Sequence, residues 1–182
     1  MTTGNWIMVL LSLVCFGSFA WAVRGHFRTQ GTVPPGMRAI SVASLIAMAW
    51  SLGRLLVGDV VPYWPVAAAT VAIAFVLFWW SVKTTIPRRL TLAFDDDLPS
   101  FLHRGGPYRW IRHPFYASYI LFWIATSLAT PGALAWIVPV GFGAIYVAAA
   151  AKEERKFGTS SLAAEYARYR SRTGMLLPLR WW

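Results

Sequence analysis

The sequence predicts an all-α protein that crosses a membrane about five times, with a helical hairpin near its C-terminus and an amphipathic tail. Three observations predict this. Hydrophobic residues make up 57% of the 182 positions and charged residues only 13%, far from the mixed charge of a water-facing surface. The charges are also segregated: residues 114–151, 38 in a row, contain no Asp, Glu, Lys or Arg. About 20 apolar residues are enough to cross a hydrocarbon core about 30 Å thick. Finally, the basic residues gather in alternate loops, as the positive-inside rule requires of a multi-span chain.

Taken in order, residues 5–23 are charge-free and form the first predicted span. Ala20-Trp21-Ala22 looks like a small-x-small cleavage site, but no basic segment precedes the run and it is longer than a signal peptide's apolar part. Residues 24–38 hold turn-forming Gly31, Pro34, Pro35 and Gly36. The second span is 39–57, with Arg54 near its far end, placed to reach the interface. The third is 60–82, with Pro62 and Pro65 in its first turns and Trp79 and Trp80 as interfacial aromatics. Residues 83–113 form a polar loop in which Asp95, Asp96 and Asp97 read as a solvated turn or cap.

The 38-residue run is too long for one crossing, because as a single helix it would reach about 57 Å. Thr130-Pro131-Gly132 is the turn signal that folds it into spans 114–129 and 133–151. A helix is predicted to begin at Pro114, since proline suits the first helical position and pushes the residue before it out of the helical region. The unpaired N–H groups of that first turn, with Tyr108, Arg112 and His113 beside them, form an electropositive end suited to an anionic group.

The tail, 152–182, carries Leu162, Tyr166 and Tyr169 at i, i+4 and i+7, with Glu165, Arg168 and Arg172 on other faces. It is predicted to form an amphipathic helix along the membrane or over the loop, ended by Pro178, with Trp181 and Trp182 interfacial. The whole chain, 1–182, is read as one membrane domain.

Sixteen of the 17 Lys and Arg residues fall in the first loop, the third loop and the tail. Those segments share one face, and the rule makes it cytoplasmic, so the N-terminus is outside and the C-terminus inside. The formal net charge of +10 is read as topology charge facing membrane lipids, not as a nucleic-acid footprint. Cys15 is the single cysteine, so neither an internal disulfide nor a cysteine metal cluster is expected, and no metal site is predicted.

Chemistry-bearing side chains concentrate at two points, Arg112-His113 and Glu153-Glu154. They lie at the two ends of the hairpin, and a hairpin returns its ends to one side of the membrane. The two pairs are therefore expected to face each other. His26 and His103 are isolated in sequence and receive no role.

These same residues carry a resemblance. Gly106-Pro107-Tyr108-Arg109-x-x-Arg112-His113-Pro114-x-Tyr116 resembles the G-P-Y-x-x-x-R-H-P-x-Y signature of the isoprenylcysteine carboxyl methyltransferase and phospholipid methyltransferase families. Glu153-Glu154, followed by Tyr166-x-x-Tyr169-x-x-Arg172 and Pro178, is similar to the second half of their pattern. The likeness covers about half the chain. It departs at Ser118, where many relatives have glycine, and at Leu162-Ala163 in place of phenylalanine-glycine.

The resemblance implies an integral-membrane enzyme that moves a methyl group from S-adenosylmethionine to a lipophilic acceptor, a prenylcysteine-like carboxylate or a lipid amine, at the cytoplasmic face. It further implies that Tyr108, Arg112, His113, Pro114, Tyr116, Glu153 and Glu154 form the cofactor site. Arg112 would receive the cofactor carboxylate and the glutamates its ammonium or ribose hydroxyls. Arg172 would orient an anionic acceptor and Glu154 would be the base for an amine. The alternatives are a sterol-reductase-like enzyme using NADPH, or a non-enzymatic membrane protein whose basic face binds anionic lipid. A bacterial-looking composition places the expected location in an inner membrane.

Overall fold

The computed structural model describes residues 2–27, 32–58, 63–90 and 99–178. The Asp95 to Asp97 run, Arg28, Gly31, Pro62 and the terminal Trp181 and Trp182 lie outside them. Five helices run up and down: α1 Thr3–Gly25, α2 Pro35–Val57, α3 Trp64–Thr85, α4 Pro114–Ala129 and α5 Ile137–Gly158. A short tail helix, α6, spans Ala163–Arg170. One-turn 3-10 helices occupy Gly106–Arg109, before α4, and Ala133–Trp136, before α5. Among the described residues there is no strand, only an isolated parallel bridge between Ile111 and Gly174.

The spans start and stop where backbone groups find partners, not where the charges fall. Thr2 and Asn5 form a reciprocal cap that begins α1 two residues ahead of the predicted span 5–23. The Asn5 amide then donates to Leu55 O at 2.6 Å and Gly58 O at 2.8 Å, occupying carbonyls that the last turn of α2 leaves open. The α3 helix begins at Trp64 and continues past Trp79 and Trp80 to Thr85. There Thr85 Oγ1 meets buried His26 Nε2 at 2.7 Å, so His26 is a tie between α1 and α3 and not an isolated residue. Arg89 Nη1 donates to Gly25 O at 3.0 Å, closing the same end. His103 Nε2 lies 2.7 Å from Arg88 O within the loop.

The α1, α2 and α3 helices, and Ala133–Gly158, are each long and apolar enough to cross a membrane. The outward faces match, with Leu10, Leu45, Ile46, Val66, Ile73, Val76, Ile137 and Val140 all exposed, a surface suited to lipid. The α4 helix differs. Its 16 residues rise about 24 Å, short of a full core. It packs most extensively against α3 and also touches α1, α2 and α5, burying Phe115, Tyr116, Phe122, Trp123 and Ala125. A helix enclosed by its neighbours needs no lipid-matched length. Phe19 on α1 joins it to the core through Phe78 at 4.9 Å, Tyr119 at 4.7 Å and Phe122 at 5.4 Å.

The predicted helix start at Pro114 and turn at 130–132 both coincide with the structure, the turn turning on Gly132 at φ +98°. The tail differs from expectation. Its helix ends at Arg170, not at Pro178, and the tail lies over residues 104–113. Gly174 N donates to Trp110 O at 3.0 Å, while Gly174 O and Met175 O accept from the N–H groups of Arg112, at 2.9 Å, and His113, at 3.0 Å. The helix stops because that stretch of backbone bonds to the loop instead.

Candidate functional site

The two pairs expected to face each other do so. Arg112 Nε donates to Glu154 Oε1 at 2.7 Å, with both side chains buried, 8% and 5% exposed. His113 sits between the carboxylates, its Nε2 3.3 Å from Glu154 Oε1 and its Nδ1 3.5 Å from Glu153 Oε2. Burial pulls the His113 pKa down, but hydrogen bonds and charge from Glu153 and Glu154 outweigh it, and the net shift is upward. Tyr116 donates to Glu153, which is the more open of the two acids.

Each position has a local cause. His113 precedes proline and takes φ −124°, ψ 65°, outside the helix, which turns its ring toward α5. The acids lie two and three residues beyond the charge-free part of α5. Aromatic stacking continues inward from the cluster. The His113 ring stacks on Tyr116 at 5.6 Å and Tyr116 on Tyr146 at 5.6 Å, with Phe142 and Trp123 further in, 4.8 Å apart.

Arg112 is held within the protein through its Nε and Nη1 groups. Besides Glu154, its guanidinium donates to Thr173 O and, at 3.4 Å, to Arg170 O. Removing one partner of such a buried pair typically costs about 3–5 kcal/mol, so these contacts hold Arg112 in place. It acts as the clip that holds tail, loop and α5 together.

The tail arginine that reaches the cluster is Arg170, its Nε 3.5 Å from Glu154 Oε2 and its side chain 63% exposed. Sequence reasoning missed it. Its spacing of four from Tyr166 was the available signal, since it puts both on one face of α6. Arg172 lies past the end of α6, exposed. It is not brought to the cluster. A recess of about 440 Å³ opens beside Glu154, lined by Gly158, Ala163, Tyr166, Ala167, Arg170 and Ser171.

Pro114 is buried at the first position of α4. Tyr108 is buried in the turn before it, and its carbonyl accepts from Tyr169 Oη at 2.7 Å. The Tyr108 hydroxyl is itself buried without a hydrogen-bond partner among the described residues. Burial raises its pKa strongly, and Tyr169 and Glu153 add to the rise. Tyr169 is likewise pushed up by burial, to about 12. Both phenols are therefore neutral donors near neutral pH. Arg104 pairs with Glu165, fastening the loop to α6.

The donor set suits a ligand carrying both an ammonium and a carboxylate. It offers one partly open acid, one open arginine beside a recess, and the phenols of Tyr108 and Tyr166, both buried without a hydrogen-bond partner among the described residues. Among the described residues no group of three His, Cys, Asp or Glu side chains could hold a metal ion. Compared with known proteins, the chain matches no family model, no curated protein and no solved structure.

Proposed function

We propose that this protein is an integral-membrane methyltransferase that uses S-adenosylmethionine and a lipophilic acceptor drawn from the bilayer. The observation that carries the reading is the buried cluster of Arg112, His113, Glu153 and Glu154. The two halves of the methyltransferase-like pattern, about forty residues apart in sequence, meet there through direct side-chain contacts. The positive-inside distribution puts this cluster on the cytoplasmic face, with the N-terminus outside.

S-adenosylmethionine, when bound, supplies an electrophilic methyl group on a sulfonium. The chain's part is to bind, orient and exclude water. Glu153, with the Tyr108 hydroxyl oxygen as a second acceptor, is the group for the ammonium. Arg170, at the recess, takes the role for the carboxylate that the motif alone suggests for Arg112. His113, Pro114 and Tyr116 hold the wall rigid, and Arg112 with Glu154 fixes it to the tail. Glu154, surrounded by Arg112, His113 and Arg170, serves better as an anchor than as a base, which favours an acceptor already nucleophilic at neutral pH, such as a carboxylate. Arg172, exposed past the end of α6 and away from the cluster, takes no part in this reading.

The test is calorimetric titration of the detergent-purified protein with S-adenosylhomocysteine, beside Glu153→Gln and Arg170→Ala. Saturable binding by the wild type, weakened about tenfold or more in folded variants, is expected for lost charge-assisted bonds. A folded wild type that fails to bind in detergent and in lipid nanodiscs overturns the reading. Binding of NADPH in its place would favour a reductase.

A further inference from the structure

Arg54 stands apart from the basic end. Among the described residues every other Lys and Arg lies at the end of the bundle that holds the cluster, and Arg54 alone lies at the opposite end. Its Nη2 donates to Pro131 O at 3.0 Å, tying α2 to the turn of the α4–α5 hairpin. Among the described residues that contact uses one of its five N–H donors. A recess of about 520 Å³ opens around it, lined by Trp50, Gly53, Val57 and Gly58.

The recess continues into an apolar face. The α2 helix is the least enclosed of the long helices, with 17% of its apolar window buried against 33% for each of the others. Ala43, Ala47 and Trp50 extend the Arg54 face toward the bilayer centre at helical spacing, flanked by exposed Val42 and Ile46. Gly53 leaves open space where a side chain would stand.

A guanidinium at the edge of the hydrocarbon layer needs acceptors for its remaining donors. A phosphodiester provides two oxygens in matching geometry. We propose that the recess around Arg54 binds an anionic phospholipid, with the phosphodiester on the Arg54 guanidinium and an acyl chain in the gap over Gly53. A net negative headgroup fits better than a zwitterionic one, whose ammonium would be brought to a cationic site. This site is separate from the cluster, and its test is independent of the methyltransferase reading.

The experiment is native mass spectrometry and thermal unfolding of the detergent-purified full chain with dioleoyl phosphatidylglycerol, dioleoyl phosphatidylcholine or inorganic phosphate. The wild type should retain phosphatidylglycerol and gain thermal stability from it, and neither other probe should do the same. Arg54→Ala should weaken retention about tenfold, the loss of one charge-assisted contact, and Gly53→Leu should weaken it with the arginine intact. Arg168→Ala, at the basic end, should leave it unchanged. Unfolding midpoints without lipid verify that the variants fold.

The proposal is overturned if Arg54→Ala keeps wild-type retention. It is equally overturned if phosphatidylcholine or phosphate alone matches phosphatidylglycerol, or if the wild type is a dimer that Gly53→Leu converts to a monomer. The last result would make this face an interface between copies of the chain.

Discussion

His113 is where charge, burial and backbone meet, and it gives the protein a pH signature. Its pKa is raised in the folded state by the flanking glutamates, so protonation is favoured by folding. Its contribution to stability is therefore fully present below the unfolded value of about 6.5 and lost as pH rises through the elevated folded value. Thermal unfolding in detergent from about pH 6 to about pH 9 should show the wild-type midpoint falling over the range above about 6.5. His113→Gln should flatten that fall. An equal fall in the variant would assign the effect to other groups. The sequence placed Arg112, His113, Glu153 and Glu154 in one neighbourhood, because a hairpin returns its ends to one side. It did not show that Arg112 is spent on Glu154 and Thr173, since Thr173 offers a backbone carbonyl and no side-chain pattern advertises that.

At the scale of elements, α4 depends on how the preceding loop is seated against α3. Gly106 sits at φ +53°, and a Cβ there would stand 2.1 Å from Thr84 Oγ1 and 3.1 Å from Trp80 Nε1. Gly106→Ala should destabilise by about 1–3 kcal/mol, from backbone strain together with the clash. Thr84→Ala in the same chain should recover part of the loss, because it removes the clash and leaves the strained φ. Full recovery, read from the unfolding midpoint, would show that φ costs nothing there. The α4 helix itself was legible from Pro114 and the charge-free run, while its enclosure was not, since periodicity in a uniformly apolar segment does not distinguish lipid from protein neighbours. The end of α6 was misjudged for a related reason. The helical spacing runs on to Arg172, but the backbone leaves the helix to pair with residues 110–113.

For the whole molecule, the segregation of charge between the two ends is the property that sets orientation. Cysteines placed at exposed Val57 and Ser171 in a Cys15→Ser background test it with a membrane-impermeant maleimide on intact spheroplasts. Position 57 should label from outside, and position 171 only after permeabilisation. The reverse pattern would invert the proposed topology and move the cluster to the outer face.

Long apolar helices, the hairpin and the meeting of its charged ends could be read from the amino-acid order alone. Those follow from hydropathy, proline and glycine chemistry and the two-sidedness of a bilayer, all of which act through local sequence. Which arginine is buried and which is open, that Arg170 faces Glu154 where Arg172 does not, and that Arg54 borders a recess came from the folded packing alone. These depend on the register of one helix against another, set by packing and by backbone hydrogen bonds between distant segments.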